Sequence, residues 1–172
     1  MDVCRSEIAV VHGPNGIGKS TLLDCLSTRY VNWTGSISCP RNAYSYLPQS
    51  PQHPQTAPLS KIAPLVIGYK HNRYNHLLDV LDLTRVADRL PALLSGGELQ
   101  RTRLLLALLR SHDILLLDEP FANMDARCRA SLSVELERTR SSRATVLISH
   151  PADAADINVY GGMEFELQPP SY

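Results

Sequence analysis

The sequence predicts an α/β fold, a mainly parallel sheet flanked by helices on both faces. Three observations carry this. Short apolar runs alternate with amphipathic stretches along the chain. The first run, Ile8-Ala9-Val10-Val11, leads straight into a glycine-rich loop and a helical stretch. A later run, Leu115-Leu116-Leu117, ends in two carboxylates, Asp118 and Glu119, at the strand end where open sheets of this class bind ligands.

The loop is Gly13-Pro14-Asn15-Gly16-Ile17-Gly18-Lys19-Ser20-Thr21, which fits the phosphate-binding pattern G-x-x-x-x-G-K-[ST]. Its glycines let the backbone approach phosphate oxygens, and successive N–H groups form an anion cup. The helix that follows adds unpaired N–H groups and the positive end of its dipole. Lys19 can reach β- and γ-phosphates, and the Ser20 hydroxyl can ligate Mg2+. That helix is predicted over about Lys19 to Thr28, with Leu22, Leu23 and Leu26 on one face.

Further along, Trp33-Thr34-Gly35-Ser36-Ile37 reads as a hairpin fragment. Pro48, Pro51, Pro54, Pro58 and Pro64 follow closely, and proline resists both helix and central strand, so this stretch is expected to be an irregular connector into an insert. Asn75 to Leu83 is predicted helical through Leu77, Leu78 and Leu81, and Pro91 breaks the pattern after it. Ser95-Gly96-Gly97-Glu98 opens a helix running to about Arg110. Asp113 to Asp118 is a buried strand, Asp125 to about Arg140 a helix with Leu132 and Leu136 inward, and Thr145 to Ile148 another buried strand. No internal repeat is visible. The expected organisation is one domain over residues 1–172, with a core of 1–50 and 97–172 and a small helical insert at about 51–96.

Composition narrows the classes. Lys plus Arg and Asp plus Glu both number 17, so no general attraction to nucleic acid or an anionic membrane is implied. Cys4, Cys25, Cys39 and Cys128 form neither a C-x-x-C pair nor a zinc pattern, which reads as reduced thiols. Asp2, Arg5 and Glu7 interrupt any signal peptide, and no apolar run approaches the roughly 20 residues of a membrane helix. Tyr69 to His76 is basic with aromatics, a pattern more often a solvated face than an RNA contact. The i, i+5 spacing of His71 and His76 suits no metal.

Two further places carry chemistry. Asp118 can hold Mg2+, and Glu119 is placed to orient or deprotonate an attacking water. Standing alone this would be an ordinary strand-end pair; the phosphate loop gives it a partner. Ser95 and Glu98 form an S-x-x-E capping box, itself a sufficient structural reason for both residues. Yet Gly96 and Gly97 in the first turn cost about 1 kcal/mol each relative to alanine. They make sense where something must approach the backbone, and a helix N-terminus with a serine suits a phosphate.

With these residues the chain resembles the ATP-binding cassette (ABC) ATPases, a family of P-loop NTPases, over about Ser6 to Val159. Leu94-Ser95-Gly96-Gly97-Glu98 resembles the family signature and precedes the Asp118 strand in the family's order. The resemblance implies further roles. Gln49 resembles the glutamine-loop residue that touches Mg2+ and the attacking water, Asp125 the D-loop aspartate, and His150 the switch histidine near the γ-phosphate. It implies ATP and Mg2+ as cofactors. It implies a head-to-tail pair with a second ABC domain, a copy or a paralogue, in which Ser95, Gly96 and Gly97 of one cap the ATP on Lys19 of the other. The family's antiparallel N-terminal β-subdomain is expected to be reduced here, because few residues precede Gly13. No aromatic upstream of the loop is available to stack on adenine, and Tyr30 and Trp33 follow it.

The leading implication is an ATP-hydrolysing subunit that powers membrane-spanning transporter subunits. It would be cytoplasmic and peripheral on the membrane through those partners, which would dock near Gln49 to Pro64, with no nucleic acid bound. Two alternatives stay open: a non-transport ABC ATPase acting on nucleic acid or a protein assembly, and an ATP-gated dimerisation module with little turnover.

Overall fold

A computed structural model describes residues 3–27, 36–37, 44–49, 55–67, 71–110, 112–149 and 163–168. In chain order the elements are β1 (Ile8–His12), α1 (Lys19–Leu26), β2 (Tyr44–Leu47), α2 (Leu59–Ile67), α3 (His71–Val80), α4 (Gly96–Leu109), β3 (Ile114–Asp118), α5 (Ala126–Arg140), β4 (Ala144–Ile148) and β5 (Met163–Glu166). A short 3-10 turn, Pro91–Leu93, precedes α4.

The strands form one sheet in the order β2-β3-β4-β1-β5. Every pairing among the described residues is parallel. The register sets Ile8 opposite Thr145 and Val11 opposite Ile148, with β5 on the other edge of β1, Ala9 opposite Met163. No strand precedes β1 among the described residues.

Successive residues of a strand point to opposite faces, so a continuous apolar run implies cover on both. Ile8, Val10, Leu115, Leu117 and Leu147 pack on one face with residues of α2 to α5, among them Ala63, Leu77, Leu104, Leu108 and Leu132. Ala9, Val11, Leu116, Val146 and Ile148 pack on the other, where α1 contributes Leu23. Helices therefore cover both faces, as the alternating pattern predicts.

Four elements differ from expectation. α2 occupies part of the proline-rich stretch read as an irregular connector, with Pro64 inside it. Leu59 and Ala63, four residues apart, are buried on one side, and Val66 packs against the same cluster. α2 lies against α4. That apolar face outweighs the proline penalty of about 3 kcal/mol. α3 starts earlier than predicted and stops at Val80, because Asp82 turns left-handed at φ 49°. Leu83 N–H then donates to the Leu78 carbonyl at 2.9 Å, closing the helix end in the manner of a Schellman turn. Sequence reasoning does not predict β2 or β5. β2 hides in Tyr44-Ser45-Tyr46-Leu47, whose alternation sits beside the prolines. β5 is a four-residue edge strand whose Glu164 and Glu166 face solvent. Residues Trp33 to Gly35 of the expected hairpin fragment lie outside the described residues.

Candidate functional site

The glycine loop leaves β1 at the carboxyl edge of the sheet. Gly13 has φ +149°, and a Cβ there would meet the Leu167 carbonyl oxygen at 3.0 Å and Ile17 Cγ2 at 3.1 Å. Only glycine lets the loop turn this tightly beneath the end of β5. Gly16 and Gly18 also have positive φ. Gly18 is the N-cap of α1 and offers no side-chain bond, so the first-turn N–H groups stay open for an anion. Lys19 arches back over the loop, its Nζ donating to the Gly13 and Pro14 carbonyls at 2.9 and 3.1 Å. The ammonium is thereby held above the cup.

β3 brings the carboxylates to the same edge. Asp118 is 1% exposed. It accepts from the Ser20 hydroxyl and from the Gln49 backbone, while its Oδ2 is buried with no hydrogen-bond partner. A buried orphan carboxylate oxygen beside a loop serine is the donor set a divalent cation takes, with hard oxygen ligands from a carboxylate and a hydroxyl. The residues present thus fit Mg2+. Burial, and next the neighbouring Glu119, push the Asp118 carboxyl above its ordinary range, against the lowering effect of the Ser20 bond.

Glu119 sits at φ 51°, a left-handed backbone unusual for a glutamate. Its N–H donates to the Ile148 carbonyl at 3.1 Å, which ties the turn to β4. Gln49 Nε2 donates to Glu119 Oε2 at 3.2 Å, joining the segment after β2 to the end of β3. Asn15, Gly16, Gly18, Lys19, Ser20, Thr21, Gln49 and Glu119 together line an open cleft of about 460 Å3.

Ser95, Gly96, Gly97 and Asp125 do not line that cleft. The capping box is complete: Glu98 N–H donates to Ser95 Oγ at 3.2 Å, and Ser95 N–H to Glu98 Oε2 at 2.7 Å. These bonds hold the Glu98 carboxyl below its usual range. Ser95 and Gly96 are exposed, and no atom lies within 4 Å of where a Gly96 Cβ would stand. The two glycines therefore differ. At Gly97 a Cβ would meet the Asn123 carbonyl oxygen at 3.4 Å, so this chain's own turn is what approaches Gly97. Asp125 is the N-cap of α5, its Oδ1 accepting from Cys128 N–H at 2.8 Å. His150 lies outside the described residues.

Sequence reasoning missed the supports behind the cleft. The Tyr46 hydroxyl donates to Asp24 Oδ1 at 3.1 Å, and that of Tyr44 to the Ser27 carbonyl, pinning β2 to α1. The i, i+2 tyrosines were the available signal. His12 Nδ1 lies 3.2 Å from the Ser149 carbonyl, joining β1 to the segment that follows β4.

Residues 1–122 match the ABC transporter family. The chain belongs to that family. The aliphatic sulfonates import ATP-binding protein SsuB 1 of Nocardia farcinica is 35% identical over 164 residues, 90% of this chain and 65% of that protein. A second such relative, SsuB 2 of Burkholderia lata, is 35% identical over 90% of this chain and 61% of its own length. The chain thus spans a little under two thirds of these curated relatives. Among solved structures, the archaeal ribosome recycling factor aABCE1, in complex with the ribosomal stalk protein aP1, superposes with a TM-score of 0.81 and 29% identity over 92% of this chain and 31% of that one. An ATP-binding subunit of an ABC transporter superposes with a TM-score of 0.81 over 98% of this chain and 77% of its own, at 23% identity, and so shares the fold.

No helix among the described residues is long and apolar enough to cross a membrane. No cluster of His, Cys, Asp and Glu among them could hold a further metal ion. Cys4, Cys25 and Cys128 are free thiols.

Because Asp118 is buried as a raised-pKa acid, its charge costs stability. The cost is absent below the ordinary carboxylate range, grows as pH rises through the folded value, and is complete above it. Asp118→Asn is therefore expected to raise the melting temperature at neutral pH by about 2–4 °C, a gain on the order of 1 kcal/mol. It should also abolish any further rise on adding Mg2+ with nucleotide. Scanning calorimetry with and without MgADP checks both; a variant that melts lower and still responds to Mg2+ rules Asp118 out as an Mg2+ ligand.

Proposed function

We propose that this chain is an ATP-binding and ATP-hydrolysing subunit that powers a membrane transporter through ATP-driven head-to-tail pairing. The observation that carries the proposal is the cleft, where an open anion cup and the Gln49–Glu119 pair meet, with the buried orphan carboxylate of Asp118 at the same sheet edge behind it. The cup binds the phosphates, with Gly13, Pro14, Asn15, Gly16, Ile17 and Gly18 shaping it and Lys19, Ser20 and Thr21 opening α1. Lys19 reaches the terminal phosphates from above the loop. Ser20, Asp118 and Gln49 hold Mg2+, which supplies charge neutralisation of the phosphate oxygens. Glu119 orients and deprotonates the attacking water; Gln49 steadies its carboxylate, and His150 acts at the γ-phosphate.

Head-to-tail pairing accounts for the parts outside the cleft. The exposed Ser95 and Gly96 are free to face a second copy or a paralogue, whose bound ATP they would cap. Asp125 follows two residues after Asn123, whose carbonyl reaches Gly97. Residues 1–50 and 97–172 form the ATPase core, with an insert at about 51–96 that includes α2 and α3. The SsuB relatives are named as import proteins, which favours membrane-spanning subunits as partners and a place on the inner face of the membrane. A second reading has one observation in its favour: the aABCE1 superposition, at 29% identity, favours action on a protein assembly. Co-purification with a multi-span membrane protein supports the first reading, and with a soluble assembly the second.

The pairing is tested by sedimentation of Glu119→Gln with ATP and Mg2+. We expect a dimer with ATP and a monomer without it, and no ATP-dependent dimer for Glu119→Gln combined with Ser95→Arg. If the Ser95→Arg protein pairs equally well, capping by the partner is wrong. Ser95→Ala alone should cost about 1 kcal/mol of stability through the lost cap.

A further inference from the structure

A second recess lies at the opposite edge of the sheet, where β3 and β4 begin. It has a volume of about 400 Å3 and is built from the C-terminal ends of α4 and α5 and the start of α3. Arg73, Arg110, Arg138 and Arg143 line it, with the Leu108 and Leu109 segment as one wall. We infer that this recess binds a small phosphate-bearing anion.

Carboxylates answer only part of this positive charge. Two carboxylates stand near the four guanidinium groups. Glu135, 1% exposed, already accepts two bonds from Arg138 at 2.9 and 3.1 Å, and also pairs with Arg73 and with His76. Asp113 is paired with Arg5. Arg110 makes no side-chain hydrogen bond or ion pair among the described residues. Arg143 is only 5% exposed, yet no carboxylate forms a direct ion pair with it among the described residues, and Glu135 acts on it only through space. Its terminal nitrogens reach the Arg110 carbonyl at 3.5 Å and Thr139 Oγ1 at 3.3 Å, and its Nε has no partner.

A plainer account is that arginines suit helix C-termini. That effect is worth about 0.3–1 kcal/mol for an exposed cation and suffices for Arg138 and Arg110. It gives no reason to bury Arg143 beside Arg73. Burial, and then Arg73, lower the Arg143 pKa to about 10 against the raising effect of Glu135, and a bound anion would add to what Glu135 supplies. Guanidinium forks match the tetrahedral oxygens of phosphate, and the recess is sized for a small molecule. The ligand would tie together the far ends of α4 and α5, whose near ends carry Ser95 and Asp125.

The test is thermal melting of the full chain in inorganic phosphate against sodium chloride of equal ionic strength. The nucleotide loop also takes phosphate, so Lys19→Ala is measured in parallel, or wild type with saturating ADP should that variant not fold. We expect phosphate to raise the melting temperature by about 3 °C near ten times its dissociation constant, with the loop disabled or filled. Arg110→Gln, at an exposed position, should fold normally and lose at least half of that shift. A chloride effect equal to that of phosphate overturns the proposal. So does a phosphate effect that vanishes when the loop is blocked and survives Arg110→Gln.

Discussion

Glu119→Gln lowers steady-state ATP hydrolysis at least a hundredfold and leaves ATP affinity within a few-fold of wild type. A positioned general base contributes about 10²- to 10⁴-fold. The amide keeps the side chain's volume and loses its basicity. Glu119 is well set to act as that base. Its left-handed backbone, fixed by the bond to Ile148, aims the side chain into the cleft, and Gln49 meets its carboxylate at 3.2 Å. Non-glycine residues held at positive φ cost about 1–3 kcal/mol and gather at functional sites, where surrounding structure enforces them. In the proposed reading phosphate binding rests on the loop instead, so affinity should survive. Steady-state turnover and equilibrium binding of a fluorescent ATP separate the two effects. An unchanged rate would mean that another group activates the water.

Glu135→Ala lowers the melting temperature by about 6–12 °C. Glu135 is the sole buried carboxylate in contact with Arg73, His76 and Arg138 among the described residues. Removing one partner of a buried charge pair costs about 3–5 kcal/mol, because the other charge stays buried and unanswered. The Arg138 and His76 side chains are 53% and 47% exposed and can turn to water, which favours the lower end, about 3 kcal/mol. Arg143 cannot turn away, and it would face Arg73 alone. At about 2–4 °C per kcal/mol for a chain of this length, the stated drop follows. Glu135→Gln should fall between the two, since it keeps acceptors and loses charge. A change below about 2 °C for the alanine variant would show the arginines are solvated rather than held by Glu135. Phosphate should restore part of the lost stability if the recess binds it.

Much of the site was legible because its chemistry is local. The loop from Gly13 to Thr21 and the run from Leu115 to Glu119 each carry their meaning in adjacent residues, and the sheet delivers both to one edge. The Ser95 capping box was legible for the same reason. The proline stretch was not: α2 exists because Leu59 and Ala63 meet α4, and that partner is distant in sequence. Four-residue strands such as β2 and β5 hold their place by pairing, so their own residues say little. Gly97 suggests room for a visitor when only its neighbours are known, and Asn123 of the same chain stands there. The Glu135 cluster joins residues from α3 and α5 with the turn before β4, which no spacing rule connects.

The sheet order has a consequence for biosynthesis. β1 precedes the other strands of the sheet in the chain, yet both of its neighbours, β4 and β5, lie in the last third of these 172 residues. The phosphate loop therefore leaves the ribosome long before anything can hold the strand that carries it. Such long-range closure is slow and leaves two bare strand edges for aggregation in the interval. A chain made only as far as β3 has the nucleotide motif in full and lacks both strands that flank β1, so the loop is expected to take its shape only once β4 and β5 have been made.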